Sequence, residues 1–182
     1  MHRLLFQTKT DGSYCTGYAI SPHAVLTAAH CDERDMTVVF DKDYNDKTAV
    51  VYTIDQKYFD DEDHMIFVVK AVTFTDFIKY DPATYKPPEQ GEHIYFWGNP
   101  ERRVDIYREG YIAGQEFEGD PDIKGKSNSV LVMSTCGHGD SGAAVFAEDG
   151  RIVLLVTGGF SSVIMYGYPL AFTPQQVAEA TK

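Results

Sequence analysis

Cys136-Gly-His-Gly-Asp-Ser-Gly-Ala-Ala-Val145 is the stretch on which the reading of the chain turns. Ser141 stands between Asp140 and Gly142, with Gly139 two residues before it and strand-like runs at 129–133 and 151–156 on either side. A serine hydroxyl is a weak nucleophile and needs a neighbouring base. Its attack on a carbonyl creates an oxyanion, which needs fixed N–H donors about 3 Å away. Glycine ahead of the serine lets the backbone turn so that two N–H groups, those of Gly139 and Ser141, converge on one point. The plainer reading is a Gly/Asp/Ser turn between two strands. Taken alone, the stretch does not choose between them.

A second stretch does. Val25-Leu-Thr-Ala-Ala-His-Cys31 reads as a buried strand running into small residues and then a histidine. Together the two motifs resemble the chymotrypsin-like (trypsin-fold) serine proteases, in the compact form of the viral and bacterial members. In that family Thr-Ala-Ala-His-Cys carries the general base and Gly-Asp-Ser-Gly the nucleophile, in the same chain order. Residues 14–20, Tyr-Cys-Thr-Gly-Tyr-Ala-Ile, resemble the strand that precedes the histidine in the family. The resemblance implies a Cys15–Cys31 disulfide, which forms only in an oxidising compartment, and leaves Cys136 free. It implies catalysis by Ser141 and His30, with Gly139 and Ser141 as oxyanion donors. The third member is expected just before a strand of the type Asp-x-Ala-Leu-Leu. Asp63, ahead of His-Met-Ile-Phe-Val-Val, fits best, and Asp60 and Asp61 compete. The whole run Asp60-Asp-Glu-Asp63 also reads as a solvated acidic loop, and His64 as a packing or surface residue.

The resemblance further implies three walls around the substrate: Ser134, Thr135 and Cys136; Thr157, Gly158 and Gly159; and Tyr166, Gly167 and Tyr168. No acid stands at the expected pocket base, which disfavours Arg or Lys before the cut. Leu155 and Val156 stand where a histidine would read Glu or Gln. The glycines suggest room for a large apolar or aromatic side chain. His138 reads either as the rim of the leaving-group side or as an exposed loop residue. The Ile-Val-Gly-Gly start, which in digestive relatives inserts beside the aspartate preceding the serine, is absent here. Asp140 is therefore expected to find another donor, with no activating cleavage.

Composition bounds the rest. The chain has 182 residues, 43% of them hydrophobic, enough for a real core, and its 12 Tyr and 11 Phe lean toward strands. A net charge of −11 argues against nucleic acid or anionic membrane as partner. It is compatible with a secreted or a polyprotein-derived domain without choosing between them, and the resemblance implies a polypeptide substrate. No apolar run reaches the roughly 18–20 residues that cross a bilayer, and the start lacks the core of a signal peptide. The compartment is therefore cytosolic, or the chain begins after a removed leader. No cofactor is implied. A metal site from His30, His64 and His138 lacks ligand spacing.

Short strands separated by turns indicate an all-β fold. The resemblance selects two six-stranded antiparallel β-barrels with a short C-terminal helix: residues 1–80 as the first barrel, 81–89 as a proline-rich connector, 90–172 as the second barrel, and 173–182 as the helix. Strands are expected at 2–10, 13–20, 23–28, 36–40, 49–54, 65–72, 92–97, 105–113, 129–133, 143–147, 151–157 and 165–172. Asp11-Gly12 reads as a turn, 116–126 as a charged loop, and Gly114 as a strand end.

Overall fold

The computed structural model describes residues 3–8, 13–33, 35–40, 46–115 and 129–182. The expected turn at Asp11-Gly12 and the charged loop at 116–126 lie outside them. Among the described residues, thirteen strands and one α-helix follow in order. The first seven are β1 (Arg3–Thr8), β2 (Tyr14–Ala19), β3 (Ala24–Ala28), β4 (Thr37–Phe40), β5 (Tyr52–Thr53), β6 (Gln56–Phe59) and β7 (His64–Val68). Then come β8 (His93–Gly98), β9 (Ile106–Gln115), β10 (Val130–Met133), β11 (Ala144–Ala147), β12 (Ile152–Gly159), β13 (Ile164–Tyr168) and α1 (Pro174–Ala180).

The first seven strands form one antiparallel sheet in the order β5-β4-β1-β2-β3-β7-β6, and the last six close into a barrel, β10-β13-β12-β11-β8-β9. The first sheet has seven strands where six were expected. Its edge strands β5 and β6 are consecutive in the chain, separated only by Ile54-Asp55, so its edges return to each other through one broken strand. The sequence reading placed a strand at 49–54 and missed β6 altogether. Gln56-Lys-Tyr-Phe59 carries only half-buried or exposed side chains, so its pattern is dominated by solvent. Gly114 does not end β9. The strand runs on to Gln115, and the register against β10 slips there by a bulge between Leu131 and Val132.

Three apolar clusters explain why several strands are hydrophobic without alternation. One fills the first sheet, with Phe6, Val25, Val38, Met65 and Phe67. A second fills the barrel, with Phe96, Val132, Val145, Leu154 and Met165. The third lies between the sheets: Tyr18, Leu26, Ile66 and Val68 meet Ala144, Phe146, Leu155 and Phe172, with Val177 and Ala180 of α1. Strands β3, β7 and β11 are buried at every residue because both of their faces are covered, as in the near-continuous apolar runs of covered sheets. The helix starts at a capping box, with Thr173 Oγ1 accepting from Gln176 N–H and the Gln176 side chain returning to the Thr173 N–H. The two sheets thus meet along the faces that carry the histidine and serine motifs.

Candidate active site

β3 ends in a 3₁₀ turn, Ala29–Cys31, which turns His30 out of the sheet. Two bonds fix it there. The carboxylate of Asp63, 4% exposed, accepts the backbone N–H of His30 at Oδ1 (2.9 Å) and the ring Nδ1 at Oδ2 (2.6 Å). An ionised carboxylate only accepts, so in the neutral form of the imidazole the proton belongs to Nδ1 and Nε2 keeps its lone pair. The carbonyl of Asp63 also accepts from Ala29 N–H at 2.9 Å. His30 is about one third exposed, at 37% of its side chain. Beside it, Cys15 and Cys31 are joined by a disulfide, and Cys136 is free.

Opposite lies the turn carrying Ser141. Gly139 (φ +102°) and Gly142 (φ +83°) adopt backbone conformations that other residues rarely enter. A Cβ on Gly142 would also collide with Thr27 and Thr16. Thr16, wholly buried, ties this turn to the first sheet. Its N–H donates to the Ser141 carbonyl (2.8 Å), and its hydroxyl donates to the Gly139 carbonyl (2.7 Å) while accepting from Asn99 Nδ2 (3.0 Å). Glu101 N–H donates to the His138 carbonyl at 2.6 Å. Ala143 N–H donates to the Asp140 carbonyl at 2.8 Å, so the peptide groups that carry the Gly139 and Ser141 N–H are both held by their oxygens. Among the described residues, the N–H groups of Gly139 and Ser141 have no protein acceptor.

Asp140 finds the expected donor in Arg108 of β9. The two guanidinium nitrogens Nη1 and Nη2 each reach one carboxylate oxygen at 2.6 Å, and Gly137 N–H adds a third bond at 2.8 Å. Asp140 is 1% exposed, so the pair satisfies a charge that would be costly to bury alone. Gly98 makes room for it, because a Cβ there would overlap the carboxylate. The Phe96 ring supports the guanidinium from 4.5 Å.

Two cavities meet at Ser141. One, of about 550 Å³, is lined by His30, Ser141, Gly139, His138, Tyr14 and the disulfide. The other, of about 460 Å³, runs between Cys136–His138 and Thr157–Ser161, again with Ser141 among its lining residues. Of the expected substrate walls, Cys136, Thr157, Gly158 and Gly159 line this groove. Ser134 does not; its hydroxyl donates to the Glu109 carbonyl. The Thr135 carbonyl accepts from Arg108. Gly167 faces the barrel interior, where a Cβ would meet Leu155 O and Leu154 Cδ1.

The acidic run at 60–63 is not a solvated loop. The Asp60 side chain is fully buried and holds His64 Nδ1 at 2.6 Å, with His64 equally buried. Of the competing aspartates, only Asp63 reaches His30. His30 and His64 are thus committed to separate carboxylates, and among the described residues no group of three metal ligands forms. Sequence reasoning missed Thr16, Asn99 and Arg108. Arg108 carried one usable signal, the need of Asp140 for a donor. Thr16 and Asn99 carried none.

The trypsin-like peptidase domain family matches residues 15–153, and the chain belongs to it. It is a peptidase by family, with a two-barrel trypsin fold and polypeptide as the class of molecule on which such a domain acts. Solved structures share the fold. The inactive form of the Rv3671c protease of Mycobacterium tuberculosis is 19% identical with a TM-score of 0.69, over 99% of this chain and 89% of that one. The serine endoprotease of Yersinia pestis is 16% identical with a TM-score of 0.67, over 98% of this chain and 62% of that one. HBP is 14% identical with a TM-score of 0.68, over 97% of this chain and 89% of that one. No curated protein matches the sequence.

Proposed function

We propose that the protein is a serine endopeptidase that works through an acyl-enzyme. The observation that carries this is a single cavity with His30, backed by Asp63, on one side and Ser141 with Gly139 on the other. His30 Nε2 takes the proton as Ser141 Oγ attacks the substrate carbonyl. The charge that develops on the carbonyl oxygen falls to the N–H groups of Gly139 and Ser141. Asp63 holds the tautomer and stabilises the imidazolium. The imidazolium then protonates the leaving amine, and water, activated by the same nitrogen, releases the acid. The edge of β12 at Thr157–Gly159 pairs with the substrate as an added strand. Arg108 takes the role that an inserted amino terminus has in the digestive relatives, so no activating cut is needed.

A second reading, a protease-fold binding module without turnover, draws on one observation: among the described residues, no hydrogen bond joins Ser141 Oγ to His30. Such bonds are often long before substrate arrives, which favours the first reading. Fluorophosphonate labelling separates the two. Catalysis requires labelling at Ser141 that is lost in His30→Ala. A folded protein that does not label is the binding module.

A further inference from the structure

The glycines of the groove beside Ser141 suggest spare room, but the space they vacate is occupied. A Cβ on Gly159 would lie 2.7 Å from Cys136 Sγ. One carbon–carbon bond further back, about 1.5 Å, the Gly159 Cα is itself within about 4.2 Å of that sulfur. The two walls therefore touch at this point. A ring or branched chain passing between two walls needs contact distance on both sides, about 7 Å in all.

The neighbouring glycine is filled from another direction. Tyr166 is paired with Gly158 across β12 and β13, and its ring lies 3.0 Å from where a Gly158 Cβ would stand. Phe160 stacks on that ring, with centroids 4.6 Å apart and planes at 26°. Tyr166 is 6% exposed, so this wall is braced by two aromatic rings and does not give way easily. The usable part of the groove is its head, between Gly137, His138, Thr157 and Ser141. The Cys136 thiol beside it stays protonated at neutral pH, because burial, followed by the nearby Asp140 carboxylate, pushes it up to about 11, while the Glu101 carboxylate also lines the groove.

We propose that the residue on the acyl side of the scissile bond carries a small side chain, of the size of alanine or serine, and that Cys136 sets this limit. The assignment rests on the serine-peptidase reading above and names the substrate class of that site. It replaces the large apolar side chain that the glycines alone suggested.

The test uses peptidyl diphenyl phosphonates, which label an active serine at a rate set by the side chain at this position, with Ala, Leu and Phe reagents compared. The wild type should label at least tenfold faster with Ala than with Leu or Phe. Cys136→Gly, which removes the sulfur between the walls, should raise the Leu and Phe rates relative to Ala by tenfold or more. The ratio is internal, so a general loss of activity cancels, and Cys136→Ala gives the same ratio should the glycine variant fail to fold. A wild type that favours Leu or Phe, or a ratio unmoved in both variants, overturns the size limit alone. Failure of a fluorophosphonate, which has no such side chain, to label the wild type overturns the serine-peptidase reading and the size limit with it.

Discussion

His30–Asp63 and His64–Asp60 are built from the same parts at the same distance, 2.6 Å from Nδ1 to carboxylate, and their carboxylates lie three positions apart in the chain. Their surroundings divide them. The His30 ring is about one third exposed and borders a cavity shared with Ser141. The His64 side chain is wholly buried, its Nε2 has no partner among the described residues, and Phe172 lies 6.4 Å from it. A histidine held at one nitrogen can act as a base only if the other nitrogen reaches a proton to take. The second pair works on the chain instead. Asp60 accepts from Glu62 N–H, His64 N–H and Ala171 N–H, which binds the turn before β7 to the segment leading into α1.

That contrast can be broken by substitution. In the open pair, Asp63→Asn leaves the imidazole with the wrong tautomer, and kcat should fall by about 10⁴-fold with little change in stability. Steady-state kinetics beside thermal melts reads both. In the closed pair the effects should invert. Asp60→Ala strands His64 and three backbone donors, and should cost about 3–5 kcal/mol of stability, the scale of a broken buried pair. Below the melting range its kcat should stay within tenfold of wild type. A 10⁴-fold loss of kcat in a stable Asp60→Ala protein would erase the distinction.

Arg108→Ala sharpens the comparison from a third buried charge. It should cost a few kcal/mol, since Asp140 is left unpaired, and should lower kcat as the turn carrying the two N–H donors loosens, by about 10²-fold. KM should hardly move. The smallest effect concerns neither pair. Tyr85 anchors the segment between the sheets, donating to the Val153 carbonyl at 2.5 Å and accepting from Leu170 N–H at 3.1 Å. Burial pushes its phenol well above the usual range. The protonated form is the one the fold favours, so this contribution is full below the unfolded value of about 10 and is lost as pH rises beyond it. Tyr85→Phe should cost about 1–2 kcal/mol at neutral pH, and should lessen the loss of stability above pH 10 in denaturant titrations.

How far the sequence disclosed this site depends on what each residue has to signal. His30 and Ser141 stand in small-residue contexts with few other uses, and their motifs are legible. The all-β class was legible too, since covered strands such as Ile152–Val156 keep long apolar runs. β6 was not, because its half-exposed side chains hide the period. The strand that follows favoured Asp63 over Asp60 and Asp61, and the fold shows that Asp63 faces His30 while Asp60 faces His64. The Thr16 hydroxyl holds the Gly139 carbonyl 123 positions away, and the Asn99 side chain holds that hydroxyl from 83 positions away. A local reading has no access to such pairings. At Gly158 and Gly159 absent side chains read as space, while the Tyr166 ring on β13 and the Cys136 sulfur on the loop before Ser141 stand against that space.

The most direct measurement is a crystal structure of the protein after reaction with an alanyl diphenyl phosphonate. Phosphorus should be bonded to Ser141 Oγ, with one phosphonyl oxygen about 3 Å from the N–H groups of Gly139 and Ser141 and His30 still joined to Asp63. A reagent bonded elsewhere, or an adduct on Ser141 whose oxygen points away from both N–H groups with His30 out of reach, would contradict the serine-peptidase reading.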